Sequence, residues 1–183
     1  MSDEAKDGVQ LFGDIGCANC HRPELWTNGK TLGYSFPEIH EDPGANKFYE
    51  VDLSRKPPKF KRKGSRLKVR LFSDLKRHDM GSGLAESFQG ATPAQNAEFL
   101  TAKLWGVADT APYLHDGRAQ TLGEAIDLHG GEALDARDNF ANLYQANKDA
   151  ILRFLRTLRT PSQPNKDVFK NAPKRPKGPI DKN

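Results

Sequence analysis

The chain has 183 residues, 36% of them hydrophobic, and a net charge of +4. This length and composition predict a globular domain with a modest apolar core and exclude a disordered chain. No run of about 18 apolar residues occurs, so no membrane span is expected. The start, MSDEAKDG, is acidic and lacks a basic segment followed by an apolar stretch. We therefore expect a cytosolic protein, a mature form without its leader, or a piece of a longer chain.

The first part of the chain alternates helix, loop and strand patterns. Apolar residues at helical spacing predict a short amphipathic helix over 3–16 that ends at a glycine. Frequent Pro, Gly and Asn predict a loop over 22–46, and the alternating segments 46–53 and 66–72 predict strands joined as a hairpin. Residues 73–83, SDLKRHDMGSG, predict one helical turn that runs into a glycine-rich loop.

The second part is predicted to be helical. TPAQ (92–95) is typical of a helix start, and TLGE (121–124) forms a capping box. Residues 133–143 and 146–159 predict two further helices, the last being the clearest. Its apolar stripe consists of Ala150, Ile151, Phe154, Leu155 and Leu158. The remainder, 161–183, is basic and rich in Pro and Lys, which predicts a flexible tail.

The only two cysteines, Cys17 and Cys20, are followed directly by His21 in the stretch CANCH. A redox CxxC usually follows a strand and opens a helix, whereas this one follows a predicted helix. A closed zinc site needs four ligands, usually as two spaced pairs, and no second pair is present. Two thiols without a role are a third alternative.

Covalent haem attachment explains the CANCH pattern best. Two cysteines three residues apart reach the two vinyl groups of one porphyrin edge, and the adjacent His21 then ligates the iron. The stretch predicts one covalent haem c. Because thioether attachment takes place outside the cytoplasm, it also predicts a periplasmic protein whose leader is absent from this chain.

The second axial ligand of the iron is predicted from chain order. The candidates are His40, His78, His115, His129 and Met80. In small cytochromes c the distal loop runs into the last helix, predicted here from residue 146. Met80 lies 66 residues before that helix and His129 only 17 before it. Topology therefore favours His129, with Met80 as the alternative.

Two longer stretches carry a resemblance to a known family. LWGVADTAPYLHDGRAQTLGEAIDLHGGEA (104–133) resembles the C-terminal haem domain of bacterial di-haem cytochrome c peroxidases. LFSDLKRHDMGSGL (71–84) is similar to the di-haem oxidoreductase, or thiol oxidoreductase, branch. Together with CANCH, the resemblance covers about residues 8–159.

The resemblance implies several site residues. In the peroxidases the distal ligand is a Met fourteen positions after the His of HDG, and fourteen after His115 is His129. The resemblance therefore implies His/His ligation. It also implies that Trp105 and Arg118 reach the haem propionates, with core packing as the alternative for Trp105. The family has two haems, but this chain has a single CxxCH, so a second haem domain would lie elsewhere.

These observations predict a mostly α, cytochrome c-like haem domain over 1–160 with a small β-hairpin insertion. Its expected function is electron transfer through one haem with bis-His ligation. The alternatives are a peroxidase or related oxidoreductase that acts with a second haem domain, a haem sensor with an exchangeable ligand, and a CxxC thiol oxidoreductase. Whether the chain is an enzyme stays open at this point.

The segment 56–70 carries eight Lys or Arg residues and no acidic residue. A basic patch can dock nucleic acid, anionic lipid or an acidic protein, or be a solvated charge run. The expected partner is an acidic redox protein or a second haem domain. No nucleic-acid partner is expected.

Overall fold

The computed structural model describes residues 1–35, 48–54, 60–87 and 89–160. These residues contain five α-helices: α1 (Asp3–Asp14), α2 (Pro93–Ala97), α3 (Leu122–Asp127), α4 (Leu134–Ala141) and α5 (Gln145–Leu155). They also contain the strands β1 (Leu25–Trp26), β2 (Thr31–Ser35), β3 (Phe48–Asp52), β4 (Lys61–Lys63), β5 (Arg66–Val69), β6 (Arg77–Asp79) and β7 (Glu98–Leu100).

The chain divides into two compact units. The first, called here the helical unit, comprises Met1–Leu25 and Val69–Thr160. The described part of the second, the strand unit, lies within Trp26–Lys68. The predicted tail 161–183 lies outside the described residues. A single domain over 1–160 stays a prediction.

Helix α1 begins and ends where its sequence predicts. The Ser2 hydroxyl accepts a hydrogen bond from the Ala5 amide at 3.3 Å, and acidic residues fill the first turn. After the helix, Gly16 has φ +101°, a left-handed conformation that glycine adopts without steric cost. The predicted helix over 3–16 is confirmed.

Helix α5 packs across α1 to form the core of the helical unit. The predicted stripe is confirmed, since Ala150, Ile151, Phe154 and Leu155 are buried. The Phe154 ring meets the Phe12 ring edge-on at a centroid distance of 5.4 Å. The helix ends at Leu155, four residues before the predicted end, and Leu158 beyond it still packs against the core.

The predicted starts of α2 and α3 are also confirmed. Thr92 and Thr121 each accept a hydrogen bond from the amide three residues on, and the Gln95 and Glu124 side chains complete both capping boxes. The predicted helix over 133–143 is α4. Its Asn139 side chain donates to the Ile15 carbonyl at 3.2 Å, which ties α4 to the end of α1.

The predicted helical turn over 73–83 is wrong. Residues 77–79 form β6, which pairs antiparallel with β7 and places His78 opposite Phe99. Before it, the Ser73 and Asp74 side chains accept hydrogen bonds from the amides of Leu75 and Lys76. Side chains that satisfy nearby amides in this way compete with a helix.

The predicted hairpin pairing is also wrong, although both predicted strands exist. Strand β3 pairs antiparallel with β2, which lies in the segment predicted as loop. Strand β5 pairs with β4, which lies within the basic segment. The two-residue turn Gly64–Ser65 allows this, because Gly64 adopts φ +60° and a tight hairpin needs a positive φ there.

The described part of the chain is therefore a mixed structure of helices and small antiparallel sheets, rather than clearly mostly α. Strands β1, β5 and β4 form a three-stranded sheet, and the remaining strands form the pairs β2–β3 and β6–β7. In the described residues, no helix is long and apolar enough to cross a membrane.

Gly8 tests the α1–α5 contact. A methyl group added by Gly8→Ala would lie 2.0 Å from the Ala150 carbonyl oxygen. We expect overpacking to lower the free energy of unfolding by about 1–3 kcal/mol. In the same helix, Gly13 has no atom within 4 Å of an added Cβ, so Gly13→Ala should raise this free energy by about 0.5–1 kcal/mol. Denaturation followed by circular dichroism measures both, and equal stabilities would contradict the packing.

Candidate functional site

The CANCH stretch follows α1 directly. Gly16 turns the chain, and Cys17–Asn19 form a short 3-10 turn whose start packs against the core. The His21 amide then donates to the Cys17 carbonyl at 3.0 Å. This closed turn brings the two thiols and the imidazole of His21 to one end of α1. Cys17 and Cys20 form no disulfide with each other.

The surroundings of the two thiols do not favour redox chemistry. Burial raises the pKa of Cys17 to about 11, and the pKa of Cys20 is raised by burial and by the charges of Asp74 and Glu132. A reactive CxxC pair needs a lowered pKa, because the thiolate is the nucleophile. This environment argues against the thiol oxidoreductase alternative.

His21 is held through one ring nitrogen. Its Nδ1 lies 3.1 Å from the carbonyl oxygen of Phe72. Because a carbonyl can only accept, Nδ1 carries the hydrogen and Nε2 keeps its lone pair, as in metal-ligating histidines. Burial lowers the pKa of His21 despite the opposing bond to Phe72, which favours the neutral imidazole that a metal requires.

The carbonyl that holds His21 lies in a strained loop. Phe72 and Leu75 have φ values of +53° and +59°, a region that costs a non-glycine residue on the order of 1 kcal/mol or more. Between them, fully buried Ser73 donates to the Thr101 carbonyl at 2.8 Å, and its amide donates to the Arg22 carbonyl. The loop is thus fixed from both sides.

His129 lies directly beyond α3 and is held in the same way. Its Nδ1 is 2.7 Å from the carbonyl oxygen of Ala125, one helical turn earlier, so Nε2 again keeps the lone pair. Burial lowers the pKa of His129, with the Ala125 carbonyl opposing it.

The fold brings His21 and His129 together although 108 residues separate them in the chain. Their ring centroids lie 6.4 Å apart, and the ring planes are inclined by 51°. Two imidazoles that ligate one metal ion from opposite sides, each with a metal–nitrogen distance of about 2 Å, have centroids about 6 Å apart. The pair therefore fits an iron held between two histidines.

Two other predicted haem contacts lie in polar surroundings. Trp105 is 54% exposed, so core packing does not explain it, and its indole N–H donates to the Arg70 carbonyl. Arg118 pairs with the Asp116 carboxylate at 2.5 Å and donates to the Gly83 carbonyl at 2.7 Å. Neither of these two side chains donates these hydrogen bonds to His21 or His129. Their propionate contacts stay predictions.

The remaining candidate ligands differ in their surroundings. Both ring nitrogens of His78 bond carboxylates, and Nε2 of His115 pairs with Glu86 at 3.0 Å. The amide of Met80 donates to the Ala97 carbonyl. A Cβ built on Gly130 would lie 2.8 Å from the Met80 carbonyl oxygen, so Met80 lies in the same region as His129. His40 lies outside the described residues.

Asp74 and Glu132, the two partners of His78, are not among the site residues that the sequence predicts. Asp74 precedes His78 by four residues, and Glu132 follows His129 by three. These spacings are visible in the sequence, but the contact between the two segments is not.

Comparison with known proteins places this site in a family. Residues 56–158 match the family described as "Di-haem oxidoreductase, putative peroxidase", and the chain belongs to this family. It is also 26% identical over 172 residues to cytochrome-c peroxidase IdrP2 of Denitromonas iodatirespirans. It is 28% identical over 172 residues to IdrP2 of Pseudomonas sp. (strain SCT). The identity to IdrP1 of D. iodatirespirans is 29% over 162 residues.

These matches cover 82–86% of this chain but only 39–40% of each relative. The chain thus spans about two fifths of the length of the curated relatives it matches. The resemblance to a haem domain of this superfamily is confirmed. Membership implies a haem cofactor and oxidoreductase chemistry at the level of the family.

Proposed function

We propose that the chain is a cytochrome c-like domain that transfers electrons through one covalently attached haem c. The observation that supports this most is the histidine pair, with centroids 6.4 Å apart and each Nδ1 bonded to a backbone carbonyl. Such a pair presents two Nε2 lone pairs in fixed positions, which suits a metal held from two sides.

Each residue of the proposed site has a separate role. Cys17 and Cys20 would form the thioethers that hold the porphyrin edge, His21 would be the proximal ligand and His129 the distal one. When bound, the haem iron supplies a one-electron redox couple. The two imidazoles would occupy both axial positions, which favours electron transfer over binding of a substrate at the iron. Replacing a Met ligand by His should also lower the potential, since Met/His ligation raises it.

We also propose that this domain functions in the periplasm. The argument is chemical, because the thioether attachment that CANCH predicts takes place outside the cytoplasm. If Cys17 and Cys20 form thioethers with haem, the domain functions outside the cytoplasm.

The axial ligand is tested by substituting His129 in protein made with haem-attachment machinery. We expect a low-spin ferric spectrum for the wild type and a high-spin spectrum for His129→Ala, because one strong ligand is lost. The control is Met80→Ala, which should stay low-spin. If Met80→Ala turns high-spin and His129→Ala does not, Met80 is the distal ligand.

The second candidate function is a peroxidase that acts together with a second haem domain. It is favoured by the family and by the curated relatives, which are named cytochrome-c peroxidases. The chain covers about 40% of those relatives, so the second domain would belong to the rest of such a protein or to another chain.

Peroxide turnover by this chain alone tests whether its own haem reacts with peroxide. We expect the haem-loaded wild type to oxidise a reduced donor protein with hydrogen peroxide only at the background rate measured in buffer. The reason is that His129 would occupy the axial position that peroxide needs. His129→Ala opens an axial position to peroxide, so its rate should exceed that of the wild type. Fast turnover by the wild type would favour the peroxidase.

The β4–β5 hairpin supports an acidic redox partner. Lys61 lies directly opposite Lys68, and Lys63 opposite Arg66. Because side chains alternate along a strand, these four cations share one face of the hairpin. The other face carries Leu67, which is fully buried. Arg66 also donates to the Thr27 carbonyl and Lys68 lies over the Trp26 ring, whereas Lys61 and Lys63 are exposed and suit an anionic partner.

Salt and charge reversal test this docking face. The rate of electron transfer to an acidic c-type cytochrome should fall by at least about tenfold between low and high ionic strength, and a basic c-type cytochrome should lack this dependence. Lys63→Glu should reduce the low-salt rate. Lys6→Glu, on the exposed side of α1, changes the net charge equally and should have a smaller effect. A salt-independent rate contradicts the proposal.

A further inference from the structure

A chain of three charged side chains lies beside the histidine pair. His78 Nε2 is 2.8 Å from an oxygen of Asp74, and His78 Nδ1 is 2.8 Å from an oxygen of Glu132. Ionised carboxylates only accept hydrogen bonds, so both ring nitrogens must carry hydrogens. His78 is therefore an imidazolium that bridges two carboxylates. We call this group the Asp74–His78–Glu132 cluster.

The electrostatics agree with this geometry. The Glu132 and Asp74 carboxylates raise the pKa of His78. Burial would raise the pKa of Asp74, but hydrogen bonds from the Lys76 amide and from His78 outweigh it and lower the value to about 2. The bond from His78, followed by that from the Asp79 amide, lowers the pKa of Glu132. The charged form of each member is favoured by the others.

The cluster joins the two segments that hold the predicted axial ligands. Asp74 lies two residues after Phe72, whose carbonyl anchors His21. Glu132 lies three residues after His129, in the 3-10 turn Gly131–Ala133. His78 thus connects the loop that orients one imidazole with the turn that follows the other.

Backbone contacts make this junction tight. The Asp79 amide donates to the second oxygen of Glu132 at 3.0 Å. A Cβ on Gly131 would lie only 2.1 Å from the Asp79 carbonyl oxygen, and Gly131 has φ +52°. Only glycine fits this close approach without displacement of one segment. The turn after His129 therefore packs directly against β6, and the cluster adds side-chain hydrogen bonds to this contact.

We propose that His78 is a positioning residue for His129. Its imidazolium holds the turn after His129 against the loop that anchors His21, and this contact keeps the distal imidazole in place for the iron. The role rests on the proposed bis-His site. His78 does not touch the iron in this role. The His78 contact slows dissociation of His129 from the iron, and it therefore determines how readily an external ligand binds the iron.

The test is the rate at which cyanide replaces His129 in the haem-loaded ferric protein. At saturating cyanide, this rate is limited by dissociation of the distal ligand. Glu132→Gln is the sharpest variant, because the amide oxygen can still accept from the Asp79 N–H while the charge-assisted bond from the His78 imidazolium is lost. We expect Glu132→Gln and His78→Phe each to raise the limiting rate by at least about tenfold, the scale expected for one charge-assisted hydrogen bond. The ferric spectrum before mixing should stay low-spin.

The control is Arg77→Gln on the same strand, which removes a bond from the Arg77 guanidinium to the Glu98 carbonyl. It should leave the limiting rate within about twofold, because adjacent residues of a strand point to opposite faces and the Arg77 side chain bonds the β7 backbone instead of the cluster. The double variant His78→Phe/Glu132→Gln should be no faster than the faster single variant, because both remove the same interaction. Rates that multiply in the double variant would indicate two unrelated structural effects and overturn the proposal.

A second measurement does not depend on ligand exchange. Nitrogen-15 NMR of the reduced protein should show two protonated ring nitrogens on His78 at neutral pH, and one in Glu132→Gln. Failure of the two proposals can be distinguished. If His129→Ala leaves cyanide binding as slow as in the wild type, the bis-His site is wrong. If His129→Ala is fast but Glu132→Gln and His78→Phe match the wild type, the bis-His site stands and the positioning role is wrong.

Discussion

The close crossing of α1 and α5 is the constraint on which the site depends. Gly8 lets the backbone of α1 approach the Ala150 carbonyl to a distance that no larger residue allows. The crossing buries Phe12 and Phe154 and fixes the direction in which α1 ends. Because CANCH follows that end within a few residues, the position of both thiols and of His21 is set by the packing of two helices rather than by the loop itself.

Backbone carbonyls accept a hydrogen bond from each of the two histidines and so orient their rings. Phe72 and Ala125 each accept from an Nδ1–H, which leaves the neutral imidazoles with a lone pair on Nε2. Burial works in the same direction, because it disfavours the charged form. The Phe72 ring packs in the core, with its centroid 5.6 Å from that of the Phe154 ring, and this packing offsets the cost of the strained Phe72 backbone. Core packing and the site are thus energetically coupled.

Membership in a di-haem family gives the single CxxCH of this chain a particular meaning. The chain matches about two fifths of its curated relatives and carries one haem motif, which suits one of two haem domains. The proposed iron site, with both axial positions occupied by histidines, would then only pass electrons. In that case substrate chemistry would take place at the other haem. Two features of this chain would serve such an arrangement. The Asp74–His78–Glu132 cluster would hold the distal ligand in place, and the cationic face of the β4–β5 hairpin would dock the partner protein.

The sequence by itself determined the features that depend on near neighbours. The caps of α2 and α3, the apolar stripe of α5 and the CANCH stretch are all local patterns. Only the tertiary structure decided the rest. It paired β3 with β2, paired residues 77–79 with β7 and brought Glu132 to His78. The physical reason is that these contacts join segments far apart in the chain, and hydrogen-bond partners at such distances follow from packing, which no local pattern records.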